Sequence, residues 1–230
     1  MSFVAMEELV FSKGKRMKGN LSRLKEIDDD DRNLFNLFKA ILNVDCKYVD
    51  RDVYHERLER VFAYELYHQW SKLLDRNKND YPANEKYILN GETRKTMGYF
   101  QISPEKINSY PDLVLHKSIE KPNCQAIVCE IKRRGNFTKS GFEEDIKKLK
   151  TFVCALQNEY TFNYGVFILV GDKMKSIFEK INSLHWTKRR VCNKSEKILL
   201  AAYDGLQLQI VSLRAALDKR EREQYINYQR

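Results

Sequence analysis

Three side chains in the middle of the sequence have types and spacing suited to chemistry on a phosphate group. Asp112 opens one apolar run, and Glu130 and Lys132 close a second run that begins at Gln125. Side chains two residues apart on a strand project from the same face, so Glu130 and Lys132 should lie together. If the two runs are neighbouring strands, Asp112 meets Glu130 across the pair. Two converging carboxylates suit Mg²⁺, with Mn²⁺ as a substitute, and the adjacent lysine can hold or deprotonate a water for attack on phosphorus.

The hydrophobic pattern predicts the elements that would position these residues. We expect helices over about 28–42, 52–74, 142–156 and 172–183, and strands over 86–92, 113–115, 125–132, 164–170, 198–203 and 206–213. Ser140 is the expected N-cap of the third helix. Strands that alternate with helices in this way indicate an α/β fold with a central mixed β-sheet flanked by α-helices. Residues 1–27 are expected to be a loosely attached basic N-terminal segment, and 28–230 a single domain.

Composition limits the class of protein. The 230 residues are 43% hydrophobic and 12% aromatic, which is too apolar for a disordered chain, and no apolar run reaches the roughly 20 residues that span a bilayer. The five cysteines form no CxxC pair, which argues against a zinc site and a disulfide framework, and Cys129 and Cys154 are expected to be small core residues. The sequence therefore predicts a soluble intracellular, cytoplasmic protein that does not bind a membrane. A net charge of +9 favours nucleic acid as the partner.

The spacing of the three candidate residues matches a known pattern. Pro111-Asp112, followed after seventeen residues by Glu130-Ile131-Lys132, resembles the motif of the PD-(D/E)XK nuclease superfamily. The order of the predicted elements also resembles the core of that superfamily, from about Glu56 to Gly171. The resemblance implies a restriction-endonuclease-like core and a metal-dependent nuclease that hydrolyses phosphodiester bonds, most often in DNA, in restriction, repair or defence.

The resemblance also implies roles for individual residues. Asp112 and Glu130 would ligate Mg²⁺ together with the main-chain carbonyl of Ile131, and Lys132 would position the attacking water. Many members carry a further glutamate on the helix before the core, and Glu65 is the candidate for that position.

Glu65 is a candidate because it falls within an apolar stripe of its helix. An unpaired carboxylate is costly among apolar side chains such as Phe62 and Leu66. A buried ion pair or hydrogen bond, to Arg60 or Lys132 for example, is the alternative explanation. Glu92 is the competing candidate for the extra carboxylate, although it is more simply a surface residue.

Several neighbouring residues are candidates for binding the substrate. Arg133 and Arg134 follow the motif and are expected to contact phosphates beside the reacting one, and Lys148 on the following helix is a further candidate. Ordinary solvated surface is the alternative for all three. On the long helix, Trp70 is expected in the core, with His68 and Gln69 near the cleft.

The sequence leaves the substrate open between DNA and RNA and between single and double strands. Specificity would come from loops, from the basic N-terminal segment, from a homodimer partner or from another subunit. A catalytically inactive nucleic-acid-binding or assembly protein that keeps the nuclease fold is the alternative function, and a basic α/β protein that binds RNA is a third. The expected charge map is an acidic, metal-seeking pocket rimmed by basic groups.

Overall fold

The computed structural model describes residues 9–13, 29–49, 58–76, 87–91, 111–117, 125–154, 162–184, 186 and 194–219. Its helices are α1 (Asp29–Asn43), α2 (Leu58–Arg76), α3 (Lys139–Cys154) and α4 (Met174–Ser183). Its strands are β1 (Leu9–Ser12), β2 (Tyr87–Gly91), β3 (Leu113–Lys117), β4 (Gln125–Arg133), β5 (Phe162–Val170), β6 (Ile198–Tyr203) and β7 (Gln207–Ser212). The predicted helices and strands are present, and the α/β class is confirmed.

The strands form one mixed sheet in the order β1-β7-β6-β5-β4-β3-β2. The central strands β4, β5 and β6 are parallel, and the outer pairs are antiparallel. Parallel neighbours need a crossover connection, which α3 provides between β4 and β5. This arrangement explains why β4 and β5 are nearly continuous apolar runs, since helices cover both of their faces.

Alternate side chains of the sheet enter two separate cores. Residues such as Ile127 and Ile131 pack with α1 and α2 on one face. Val128 packs with α3 and α4 on the other face. Glu130 and Lys132 are two and four residues beyond Val128, so they belong to the face that α3 covers, at the carboxyl end of β4.

The start of α3 differs from the sequence expectation. The helix begins at Lys139, and the amide of Gly141 donates to the hydroxyl of Thr138 at 3.1 Å. A side chain that accepts from the third helical amide occupies the N-cap position. The predicted cap at Ser140 was therefore wrong, because Ser140 already lies inside the first turn.

Part of the predicted N-terminal segment belongs to the sheet. Residues Leu9–Ser12 pair antiparallel with β7, with Leu9 opposite Ile210. The next residue, Lys13, donates from its amide to the Leu206 carbonyl at 2.8 Å and from its amine to the Val44 carbonyl at 2.9 Å. The expectation of loose attachment was wrong for these residues, since backbone pairing holds a strand too short to show alternation. The rest of 1–27 lies outside the described residues.

The cysteines follow the prediction only in part. Cys129 is buried and free, as expected of a core thiol. Cys154, half-buried at the last position of α3, is disulfide-bonded, so the expectation of a small core residue was wrong there. Within the described ranges, no helix combines the length and the apolar character needed to cross a membrane.

Candidate active site

Asp112 and Glu130 face each other at one end of the sheet. Leu113 is paired with Cys129, so the next pair outward in this antiparallel register is Asp112 with Glu130. The Asp112 amide donates to the Cys129 carbonyl at 3.1 Å, and the Ile131 amide donates to Asp112 Oδ2 at 2.6 Å. Because directly opposite residues share a face, the two carboxylates converge as the sequence predicted.

Burial makes this pair of carboxylates costly to ionise. Glu130 is 2% exposed, and its Oε1 is buried with no hydrogen-bond partner in the described structure. Burial, reinforced by the charge of Asp112, raises the pKa of Glu130 to about 8. Burial also raises the pKa of Asp112 to about 6, although the hydrogen bond from the Ile131 amide opposes this rise. A cation bound between the two carboxylates would favour their ionised forms and so lower both pKa values.

Lys132 is held between two further acids. Its Nζ lies 3.5 Å from Glu59 Oε1 and 3.6 Å from Asp145 Oδ2. Burial alone would lower the pKa of Lys132, but the neighbouring carboxylates, Asp145 and Glu59 first among them, outweigh it and raise the pKa above its ordinary value. Lys132 is therefore a protonated hydrogen-bond donor here. Such a side chain is better suited to hold a water or a phosphate by a hydrogen bond than to remove a proton from the water.

Lys148 joins α3 to the same group of side chains. Its Nζ donates to Asp145 Oδ1 at 2.9 Å and lies 3.6 Å from Glu130 Oε2. Asp145 is 2% exposed and thus connects both lysines from a buried position. We call this set of six side chains the carboxylate–lysine cluster: Glu59, Asp112, Glu130, Lys132, Asp145 and Lys148. Four carboxylates and two amines give it a net charge of −2 when all are ionised, within a chain of net charge +9.

Glu65 lies apart from the carboxylate–lysine cluster. Its Oε1 accepts a hydrogen bond from Gln69 Nε2 at 2.6 Å on the same helix. Glu59 and Glu65 are six residues apart, which separates them by about 120° around α2. The glutamate that α2 brings to Lys132 is therefore Glu59.

A better choice of helical face would have found Glu59. Phe62, Leu66 and Trp70 are fully buried and define the face of α2 that packs on the sheet. Glu59 lies at the centre of that face, three residues before Phe62 and seven before Leu66. The sequence-based stripe included Val61, which is only half-buried, and this turned the expected face toward Glu65.

Asp145 was also underestimated. The sequence placed it at the flank of the apolar stripe of α3, but it is as buried as its neighbours Phe142, Leu149 and Phe152. These four residues follow the spacing 3-4-3, which places them on one side of a helix. An acidic residue on the buried side of the helix, facing a strand that ends in Glu130-Ile131-Lys132, is the sequence signal that could have identified Asp145.

The two arginines that follow Lys132 in the sequence differ in their contacts. Arg134 Nε lies 3.6 Å from Asp172 Oδ2, so this arginine is tied to the turn that follows β5. Arg133 is half-buried and makes no ion pair with the residues that the structure describes. Both follow directly on β4, next to Lys132. Glu92 lies outside the described residues.

The other candidates on α2, His68, Gln69 and Trp70, take no part in the carboxylate–lysine cluster. His68 is exposed, and Gln69 is bonded to Glu65, while Trp70 is in the core as predicted. None of the three lines the cleft described next.

A cleft of about 470 Å³ opens beside Asp112, between α2 and the ends of β2 and β3. One wall is formed by α2 and the other by the two strands. The lining residues are Glu59, Arg60, Ala63, Tyr64 and Tyr67 from α2, and Asn90, Gly91, Asp112 and Leu113 from the opposite side. Glu59 and Asp112 belong to both the cleft and the carboxylate–lysine cluster, so a molecule in the cleft would lie next to the candidate reacting centre.

The donor set suits a hard divalent cation held by few protein ligands. Among the described residues, no three of the types His, Cys, Asp and Glu lie close enough together to hold a metal ion. The expected convergence of Glu65 with Asp112 and Glu130 is thus not formed. Mg²⁺, however, is commonly held by one or two carboxylates with waters and substrate phosphates completing its shell. The unpaired, buried Oε1 of Glu130 next to Asp112 fits that mode.

No family model, no curated protein and no solved structure matches this chain.

Proposed function

We propose that this chain is a metal-dependent nuclease with a restriction-endonuclease-like core that hydrolyses phosphodiester bonds in DNA. One observation carries the proposal. Asp112 and Glu130 face each other across β3 and β4, and Lys132 projects from the same face one pleat further along. Two carboxylates with an adjacent protonated amine are the set that metal-assisted attack on a phosphodiester requires.

The order of the elements supports the same family. Helix α2 precedes the antiparallel strands β2, β3 and β4, and α3 then leads to β5, which is parallel to β4. This is the order that the resemblance to the PD-(D/E)XK superfamily implies. The two halves of the motif fall at the start of β3 and at the end of β4, which lie side by side.

Four members of the carboxylate–lysine cluster have roles in this proposal: Asp112, Glu130, Lys132 and Asp145. Asp112, fixed by the Ile131 amide, and Glu130 would hold Mg²⁺, with the Ile131 carbonyl as the main-chain ligand of the family pattern. When bound, the metal supplies positive charge that stabilises the charge developing on the phosphate. Lys132 donates a hydrogen bond that orients the attacking water. Asp145 is a positioning residue, because it holds the amine of Lys132 from a buried site.

The charge distribution predicts that the substrate binds more tightly when the cation is present than when it is absent. The carboxylate–lysine cluster carries a net charge of −2 when ionised and would repel a phosphate. A bound divalent cation cancels that charge, and Arg133 and Arg134 next to it then attract the phosphate backbone. The carboxylate–lysine cluster therefore binds the cation, whereas the basic residues attract the phosphate backbone.

The test is digestion of single- and double-stranded DNA and RNA with Mg²⁺ or Mn²⁺. Lys132→Ala and Asp112→Asn are each expected to lower the cleavage rate by at least about 10²-fold, the scale of losing one stabilising group in a transition state. Lys147→Ala is the matched control, because Lys147 lies on α3 but is exposed and pairs with Glu143 at 3.1 Å, outside the carboxylate–lysine cluster. Unchanged cleavage by both site variants would refute the assignment.

Calorimetry separates the proposed enzyme from an inactive protein of the same fold. We expect Mg²⁺ to bind the unaltered chain and to bind Asp112→Asn more weakly. Nucleic-acid binding with neither metal binding nor cleavage would favour the alternative, a binding or assembly protein.

A further inference from the structure

The cleft beside Asp112 has an aromatic wall. Tyr64 and Tyr67 are 64% and 37% exposed, and they are two of the four large hydrophobic side chains that are exposed among the described residues. Both line the cleft, as does Arg60, one turn before Tyr64. Exposed apolar surface concentrated at one concave place indicates a binding site more strongly than single exposed residues do.

One ring of the wall, that of Tyr67, is held in place before any ligand binds. The Tyr67 hydroxyl donates to the Leu89 carbonyl at 3.2 Å, which fixes its ring between α2 and β2. Ala63 lies one turn before Tyr67 and one turn after Glu59, and its small side chain leaves open space along the wall. A site that is already ordered loses less entropy on binding than a mobile one.

The opposite side of the cleft is formed by the ends of β2 and β3. Asn90 is paired with Val114, whose side chain belongs to the core that α3 covers, so the Asn90 amide, 2.8 Å from Nε2 of the buried His116, lies on the face of the sheet opposite α2. Asp112 stands at the same side, next to Glu130. The cleft therefore offers flat aromatic surface on the side of α2 and the candidate metal ligand Asp112 at its end.

We infer that this cleft is a subsite for one unpaired nucleobase, so that the substrate class is single-stranded nucleic acid or an unpaired strand end. The inference rests on the proposed function. A base can stack on a tyrosine only when its face is free, and the bases of a duplex cover one another's faces. The cleft volume of about 470 Å³ suits one nucleotide-sized group and lies within the ordinary range of about 300–1,000 Å³ for small-ligand pockets.

The experiment measures binding without cleavage. Fluorescence anisotropy in EDTA is followed with three labelled probes of about 15 nucleotides: a single DNA strand, its duplex, and a strand in which abasic sites replace the bases. The unaltered chain is expected to bind the single strand more tightly than either of the other two. Tyr64→Ala should weaken single-strand binding by about 10-fold, because a stacking face is lost, and should leave binding of the abasic strand unchanged.

Two variants control for folding and for hydrophobic exposure. Tyr64→Phe keeps the ring and should bind like the unaltered chain, and Leu206→Ala removes an exposed side chain, 68% accessible, from the turn between β6 and β7. A preference for the duplex, or equal binding by Tyr64→Ala and the unaltered chain, would overturn the inference. These outcomes do not depend on cleavage, so loss of single-strand preference in an active nuclease refutes the subsite alone. Stacking without any metal-dependent cleavage refutes the proposed function alone.

Discussion

Replacing Glu130 with glutamine should stabilise the metal-free protein although it removes a proposed metal ligand. The carboxyl group is buried, one of its oxygens has no hydrogen-bond partner in the described structure, and its pKa is raised from 4.5 to about 8. The folded state thus binds this proton more tightly than the unfolded chain does. That contribution to stability is fully present below about pH 4.5 and is lost as the pH rises through about 8.

The size of the effect follows from that difference in pKa. Each pH unit corresponds to about 1.36 kcal/mol, so full ionisation of Glu130 costs about 5 kcal/mol, and about 3 kcal/mol of this cost is already present at pH 7. Glutamine resembles the protonated acid and does not titrate. Asp145 still accepts from Lys148 at 2.9 Å, so the lysine keeps a partner. We expect Glu130→Gln to be about 3 kcal/mol more stable at pH 7, which raises Tm by about 6–12 °C.

Thermal unfolding in EDTA at about pH 4.5, 7 and 9 measures this effect. The gain should be small at the lowest pH and largest at the highest. Glu179→Gln is the control, because Glu179 is 64% exposed on α4 and its substitution should not change Tm. A Glu130→Gln variant that is less stable than the unaltered chain at pH 9, or a gain that does not vary with pH, would refute the reasoning.

Three further predictions concern the helices that surround the site. Glu59→Gln should lower the single-turnover cleavage rate by about 10-fold, because Glu59 contacts Lys132, whereas Glu65→Gln should leave the rate unchanged. Equal effects of the two substitutions would show that α2 does not contribute through Glu59. Asp145→Asn should lower the free energy of unfolding in urea by about 2 kcal/mol, since two lysines lose their buried partner, and an unchanged midpoint would contradict this. Gly165→Ala should cost about 1–2 kcal/mol in thermal unfolding, because its Cβ would lie 3.1 Å from Val153 Cγ2, and a variant of full stability would show that α3 gives way.

The sequence predicted the strands well where both faces of the sheet are buried. The strands β4 and β5 are apolar on both faces, so their runs stand out without any knowledge of partners. The motif at the end of β4 was visible because Glu130 and Lys132 interrupt that run. Strand β1 was missed because four residues next to a basic stretch carry no periodic signal, and only its pairing with β7 defines it.

Only the part of the site that lies on the two neighbouring strands could be predicted from the sequence. The facing of Asp112 and Glu130 follows from local spacing, but the partners of Lys132 come from α2 and α3. Which helix residue points at the site depends on the rotation of each helix, and an error of about 120° exchanges Glu59 for Glu65. Rotation is set by contacts with side chains that lie far apart in the sequence, so the apolar stripe of one helix gives it only approximately.

The pairing of β1 with β7 has a consequence for how the chain folds. Leu9 meets Ile210 from about 200 positions away in the chain, so this contact is among the most non-local in the sheet. Contacts of that kind form late, and until they form the outer edge of β7 has unpaired amides and carbonyls that can bind a strand from another molecule. The yield of refolding should therefore fall as protein concentration rises, even under conditions where the finished fold is stable. Once formed, Leu9–Ser12 cover the edge of β7 and leave as the edge of the sheet a strand of only four residues, which offers a shorter template for pairing with another molecule.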